Sequence, residues 1–308
     1  MFPIELFCLH PESLAPCDLY KKTEDGEFVF FAQKSMQINR MVKENLTENE
    51  KNKIYVQDDD IDFYFNYLNS ELMQLVKSPT AKSEKKAEAV YSSCKVIMQK
   101  VFEDPRSEFV NHACDLIVPT VDLIISNDNA TRHLVNLTAH DHCTYVHSTN
   151  VGIFSIALAR IFFGANSSHD LQKLGMGFFL HDLGKCKIPL EILNKPGALT
   201  SDERKVINRH PEEGRNLLSE SGYATREAEI IVLQHHERDD GTGYPNGLNG
   251  SEIHPYARIC RLADVYEALT SDRPYHRKRT TFEALKLIKE EMSDLDQDLI
   301  GCFIGLFA

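Results

Sequence analysis

The residues in this chain best suited to chemistry are histidines and aspartates that stand side by side in its second half. His181-Asp182 is followed by Leu-Gly-Lys185, His235-His236 is followed by Glu237, and Asp264 lies inside an apolar helical pattern. Eleven of the 13 histidines come after residue 130, whereas the carboxylates run through the whole chain. A lone histidine argues little, because intermediate burial is ordinary for that residue. Adjacent imidazole and carboxylate groups repeated within one helical region are a different matter, since together they form a donor set for a metal ion. Such mixed shells suit iron, manganese or zinc, while calcium and magnesium favour oxygen alone.

The elements that must hold these residues read as helices. An apolar helix is predicted from about Cys143 through Val146, Val151, Phe154, Leu158 and Ile161 to a stop at Gly164, and a second over Leu171 to Leu183, with His181-Asp182 at its end. Thr200 and Glu203 form a capping box that starts a third. A fourth, from Ala224 to about His236, closes on the histidine pair. A fifth, from Pro255 to about Ser271, carries Asp264 and has proline in its first turn. Between the last two lies Asp240 to Gly250, too rich in glycine for a helix; a long loop in a compact helical domain is usually functional or mobile.

The first half of the chain is organised differently. Residues 1–78 read as a small α+β domain for regulation or assembly: Asp25-Gly26 marks a hairpin between Leu19-Tyr20 and Phe28 to Phe31, Ile54-Tyr55-Val56 is a strand, and Asp58-Asp59-Asp60 leads into an apolar-rich helix. Residues 79–126 read as a helical linker, with Val90, Cys94, Ile97, Met98 and Val101 on one face, a break at Pro105, and a second helix over Phe109 to Ile125 open to a kink at Pro119. These linker helices are the expected place for a homodimer contact. Residues 127–308 form the helical remainder, so the fold class expected is mainly α with a small α+β N-terminal domain.

The chain has 308 residues, with 34 Lys+Arg against 46 Asp+Glu and a formal charge of −12. That length allows about two domains. The acidic balance argues against a protein that coats nucleic acid polymers, which wants a basic face. The N-terminus lacks a basic n-region and is interrupted by Pro3 and Glu5, so no signal peptide is expected. No run reads as a membrane span. Eight cysteines without a C-x-x-C fit reduced thiols, and the cytoplasm is the expected location.

His181-Asp182-Leu-Gly-Lys185 and His235-His236-Glu237-Arg-Asp-Asp240-Gly241-Thr-Gly243-Tyr244-Pro245 resemble the two signatures of the HD-GYP family, HDxGK and HHExxDGxGYP. The second is matched at every fixed position. Ile188-Pro189, Leu193-Asn-Lys195-Pro196-Gly197, His210-Pro211 with Gly214, Ala263-Asp264 and Arg273-Pro274-Tyr275 agree with it. The resemblance covers about residues 130 to 308. It implies a helical HD-superfamily phosphohydrolase fold, bacterial origin, and metal-dependent hydrolysis of cyclic di-GMP to pGpG, with continuation to GMP as a further option.

The resemblance places metal ligands on His147, His181, Asp182, His210, His235, His236 and Asp264. Seven nitrogen and oxygen ligands suffice for two divalent ions, iron first and manganese as the alternative, with Asp182 as the natural bridge. Two such ions clamp a phosphodiester and hold a bridging hydroxide as nucleophile. Asp182 and Lys185 are the expected catalytic residues, Lys185 being three positions from Asp182 and placed to neutralise phosphoryl charge. Lys185, Gly243, Tyr244, Pro245 and Arg273 are the expected substrate contacts. Family members with a third metal carry Glu four residues before the first ligand histidine; here that position is Cys143, which points to two ions. The GYP loop is linked in the family to contacts with GGDEF-domain proteins. The alternative is a cyclic di-GMP-binding or partner-docking module with weak or no turnover, and an HD enzyme for another nucleotide is a third class.

Overall fold

The structure, a computed structural model, describes the chain except residues 5–8, 10–12, 24, 39–53, 139–142, 165–167, 273–277, 293–294 and 308. Strands β1 (Phe2–Ile4), β2 (Leu19–Lys22), β3 (Phe28–Ala32) and β4 (Ile54–Val56) form one antiparallel sheet in the order β1-β4-β2-β3. The β2–β3 hairpin turns at Gly26, whose φ of 89° suits a residue without Cβ. The acidic triplet forms one 3-10 turn and leads into α1 (Ile61–Lys77), which buries Ile61, Tyr64, Phe65, Leu68, Leu72 and Val76.

Helices α2 (Ser83–Glu103), α3 (Ser107–Ser126) and α4 (Asp128–Leu137) follow. The stretch read as a linker is packed deep in the fold: α2 lies against α3, α4 and α5 (Thr144–Phe163), and α3 lies against α1, α5 and α6 (Leu171–Phe179). Pro119 sits within an uninterrupted α3. One hydrophobic core runs from Phe2 in the sheet to Phe303 near the C-terminus.

α5 is apolar on nearly every side, as a helix buried all round must be. α3 and α5 are long and apolar enough to cross a membrane by length and composition, but 61% and 78% of their apolar windows are buried inside the protein. That burial accounts for their composition as core helices.

The remaining elements wrap α5 and α6. A 3-10 turn (Leu183–Lys187) leads to α7 (Leu190–Leu193), α8 (Ser201–Ile207) behind its Thr200–Glu203 capping box, α9 (His210–Ser221) and α10 (Arg226–Gln234). Then come α11 (Pro255–Thr270), α12 (Thr281–Glu291) and α13 (Gln297–Ile304). The second predicted helix ends at Phe179 rather than Leu183, because the chain tightens into the 3-10 turn that packs on α9.

Candidate metal centre

Four helix termini or turns and the interior of one helix bring the expected ligands together. His147 is in the first turn of α5, His181 and Asp182 lie in the turn after α6, His210 opens α9, His235 and His236 follow α10, and Asp264 is inside α11. His181, His210 and His235 are fully buried and Asp182 is 1% exposed. Their ligating atoms fall into two groups, each within 4.8 Å: Asp182 with His210, His235 and His236, and His147 with His181 and Asp264. All seven residues read from the resemblance are therefore in one place, and Cys143 belongs to neither group.

Asp182 joins the two groups. Its Oδ2 lies 3.4 Å from His147 Nε2 and 3.4 Å from His181 Nε2, while its Oδ1 faces His210 Nε2 at 3.3 Å and His235 Nε2 at 3.7 Å. Asp264 receives His147 Nε2 at 3.2 Å on Oδ1 and stands 3.8 Å from His236 Nδ1 through Oδ2.

Backbone carbonyls set the ring orientation. His181 Nδ1 donates to Phe178 O at 2.9 Å, His210 Nδ1 to Ile207 O at 2.8 Å, and His235 Nδ1 to Val232 O at 2.8 Å. A carbonyl only accepts, so Nδ1 carries the proton and each Nε2 turns a lone pair inward. His210 Nε2 and His235 Nε2 then face each other at 3.2 Å as two acceptors. His181 Nε2 and Asp182 Oδ1 are buried with no hydrogen-bond partner. A buried acceptor left unpaired costs about 1–3 kcal/mol, and several aimed at one point are what a cation would satisfy. The donor set fits divalent ions of the iron, manganese and zinc type.

The protonation states agree. Burial opposes the charge on Asp182, but Lys185 and then His181 hold its carboxyl well below the usual range. Asp264 is likewise held low against burial by its hydrogen bond from His147. Burial pushes His210 down to about 3, and lowers His181 and His236, so these rings are neutral. Ionised carboxylates and neutral imidazoles are the forms that bind metal. His147 differs: burial works against its charge, yet Glu267, Asp182 and Asp264 together keep it protonated. Three carboxylates around one ring call for positive charge.

Lys185 Nζ donates to Asp182 Oδ2 at 2.5 Å. Of the expected substrate contacts, Tyr244 stacks on His236 with ring centres 4.7 Å apart and presents an edge to His210 at 6.1 Å. Gly243 lies so close to the preceding turn that a Cβ there would meet Arg238 N at 2.4 Å and Glu237 Cα at 2.5 Å. Pro245 follows Tyr244 through a cis peptide bond. Arg273 lies outside the described residues.

Two carboxylates given no role in the sequence reading turn out to organise the site. Glu237 is fully buried and accepts from Asn246 N at 2.7 Å and Leu248 N at 2.9 Å, which pins the glycine-rich loop beside the ligands. Its signal was its place directly after two ligand histidines and before a loop full of backbone donors. Glu267 accepts from His147 Nδ1; its signal was its position three residues after Asp264, on the same helical face. Glu237→Gln is expected to weaken the loop anchor by about 1.5–3 kcal/mol, the range for a hydrogen bond to a charged group. Lower thermal stability and faster limited proteolysis within 238–248 are the readouts; unchanged values for both count against the anchor.

Comparison with known proteins adds the following. Residues 134–299 match the family model described as HD domain. Over 216 residues the chain is 36% identical to the cyclic di-GMP phosphodiesterase PA4108 of Pseudomonas aeruginosa, a match covering 69% of this chain and 52% of that protein. It is 35% identical over 169 residues to 3'3'-cGAMP-specific phosphodiesterase 2 of Vibrio cholerae, covering 54% of this chain and 31% of that one. The chain thus matches about half the length of the first relative and about a third of the second. Its fold is similar to that of Bd1817, an HDG"Y"P protein from Bdellovibrio bacteriovorus, with a TM-score of 0.72, 22% identity, and coverage of 99% of this chain and 98% of that one. The HD match spans more than half of the sequence, and the chain belongs to the HD domain family.

Proposed function

We propose that the chain is a metal-dependent phosphodiesterase that hydrolyses cyclic di-GMP to pGpG, with GMP as the product of a further cut, at a centre holding two divalent ions. The observation that carries this reading is Asp182, whose two oxygens face two separate groups of inward-turned histidine nitrogens. Ions bound there supply Lewis-acid polarisation of the phosphodiester and activation of water near neutral pH. Iron is the first choice and manganese the second.

The protein's own groups do the rest. Asp182 and Asp264 carry the negative charge that retains cations, and the carbonyl-held rings of His181, His210 and His235 keep their lone pairs aligned without reorganisation. Lys185 pairs with Asp182 and still reaches solvent, its side chain being 21% exposed, so it can shift from Asp182 to a phosphoryl oxygen. Tyr244, stacked on His236, forms a flat wall beside the ligands that suits a base or ribose. Loop residues Thr242, Asn246 and Gly247 face outward and are the surface we assign to GGDEF-domain partners. A homodimer through α2 and α3 would have to use the faces these helices leave outside the core, and light scattering tests it.

Relatives named for cyclic di-GMP and for 3'3'-cGAMP support a cyclic dinucleotide as the substrate class. The test is incubation of iron- or manganese-loaded protein with each nucleotide, following linear products by chromatography. Lys185→Ala is expected to lower kcat on cyclic di-GMP by about 10²-fold, the range for one electrostatic group acting on developing charge. Tight binding with no product from the wild type overturns the enzymatic reading in favour of a binding module.

A further inference from the structure

The four most buried ligand histidines are not held alike. His181, His210 and His235 lean on backbone carbonyls three residues earlier in the chain, whereas His147 Nδ1 is bonded to the carboxylate of Glu267, 120 residues away on α11. Glu267 is 1% exposed. Its Oε2 takes the histidine, and its Oε1 accepts from Ser271 Oγ at 2.6 Å and Asn150 Nδ2 at 3.2 Å. Asn150 is itself 1% exposed, and its Oδ1 accepts from the Tyr91 hydroxyl on α2 at 3.1 Å. A buried chain of polar groups therefore runs from α2 through α5 to α11 and ends on a metal-facing ring.

We propose that Glu267 is the positioning residue of the His147 half of the metal centre, and that Tyr91, through Asn150, fixes the Glu267 carboxylate in the orientation His147 requires. The inference rests on the two-ion reading above. A carboxylate behind a ligand imidazole fixes its tautomer and raises its basicity more than a neutral carbonyl does. The ring of His147 is also the one of these four whose Nδ1 is bonded to a carboxylate and not to a backbone carbonyl. Asn150 uses both ends of its amide, one toward Tyr91 and one toward Glu267, so its orientation is set by the hydroxyl. Glu267 thus controls one group of ligands and leaves the other to the carbonyls behind His210 and His235 and to Lys185 on Asp182.

The consequence is selective. Glu267→Gln keeps the volume of the side chain but puts an amide behind His147. It is expected to weaken one of two bound manganese ions by about 10–100-fold and to leave the other unchanged. Tyr91→Phe, which removes one oxygen from a packed ring, is expected to weaken the same ion by about 2- to 10-fold, the span of a single net hydrogen bond. The double variant should be no weaker than Glu267→Gln alone. Manganese titration by calorimetry gives both affinities, and electron paramagnetic resonance adds an independent readout, because a coupled ion pair should give way to an isolated-ion spectrum when the His147 half empties. Wild-type protein titrated in parallel separates the two claims: fewer than two ions there removes the two-ion reading and this inference with it. Two ions in wild type and in Glu267→Gln with equal affinities overturns the positioning role alone, as does an equal loss of both ions. Tyr91→Phe keeps the test open should Glu267→Gln fold poorly, since unchanged manganese affinity in that variant overturns the part assigned to α2.

Discussion

Asp182→Asn is expected to abolish useful turnover of cyclic di-GMP, by about 10³-fold or more in kcat, at the upper end for removal of one preorganised electrostatic group. It should at the same time leave the metal-free protein at least as stable as wild type. The reasoning is geometric. Lys185 Nζ sits on Oδ2 at 2.5 Å, so the amide turns its oxygen to the lysine and its NH2 toward His210 and His235. Those ring nitrogens are acceptors, and Oδ1 has no partner in the native protein. The substitution therefore converts an unpaired acceptor into a donor with two places to donate, worth about 1 kcal/mol in the absence of ions. The same NH2 points its hydrogens where a cation would need a lone pair. Metal analysis should find at least one ion fewer per chain, and thermal unfolding in chelator should show no loss. A variant that keeps both ions and turns over within about tenfold of wild type would remove Asp182 from the centre of the chemistry.

This separation of function from stability bears on what was legible in the residues. His181-Asp182 and His235-His236 are adjacent in the chain, and the group of Asp182, His210, His235 and His236 contains both members of one pair and one member of the other. Short-range spacing of that kind survives folding, because neighbours at a helix end stay neighbours. Glu267 was not legible as a partner of His147, since the two are 120 residues apart and only the packing of α11 on α5 brings them together. Its helical register with Asp264 placed it on the right face without saying what that face meets.

The stretch 79–126 makes the same point for the fold. Apolar residues at helical period identified one buried face, and α2 does bury Val90, Cys94, Ile97, Met98 and Val101. Periodicity cannot name the partner, and here α2 packs on α3, α4 and α5, which all come later in the chain, as well as on the earlier α1. Two lysines of α2 are buried with it: Lys86 donates to Val76 O at 2.7 Å, and Lys100 lies over the Phe109 ring at 4.5 Å, so both bury their stems and satisfy the charge locally. In the N-terminal sheet the hairpin and β4 follow from turn chemistry and β-branched runs, whereas β1 pairs with β4 across more than 50 residues and carried no local sign.

Gly184→Ala is expected to be the most damaging single-methyl change in the protein, because the glycine of the HDxGK string is a packing requirement. A Cβ at position 184 would lie 1.9 Å from His210 O, 2.5 Å from Gly214 N and 2.8 Å from His210 C. All three are backbone atoms of α9, so no side chain can swing away. The 3-10 turn carrying Lys185 must then separate from the helix that begins with His210, and these two elements are closely packed along their whole contact. Overpacking of a buried site costs about 1–3 kcal/mol, and a clash with immobile backbone belongs at or above the top of that range. The separation also pulls Asp182 Oδ1 from His210 Nε2, now 3.3 Å apart, so the ion shared by that group should be lost along with stability. Gly301→Ala on α13 is the matched control: a Cβ there meets nothing within 4 Å, and replacing a helical glycine should stabilise by up to about 1 kcal/mol. Thermal unfolding and metal content of the two variants, measured side by side, decide the matter. If Gly184→Ala melts within about 1 kcal/mol of wild type and binds its full complement of ions, the turn and α9 can part freely, and the close approach at Gly184 does not hold the ligands together.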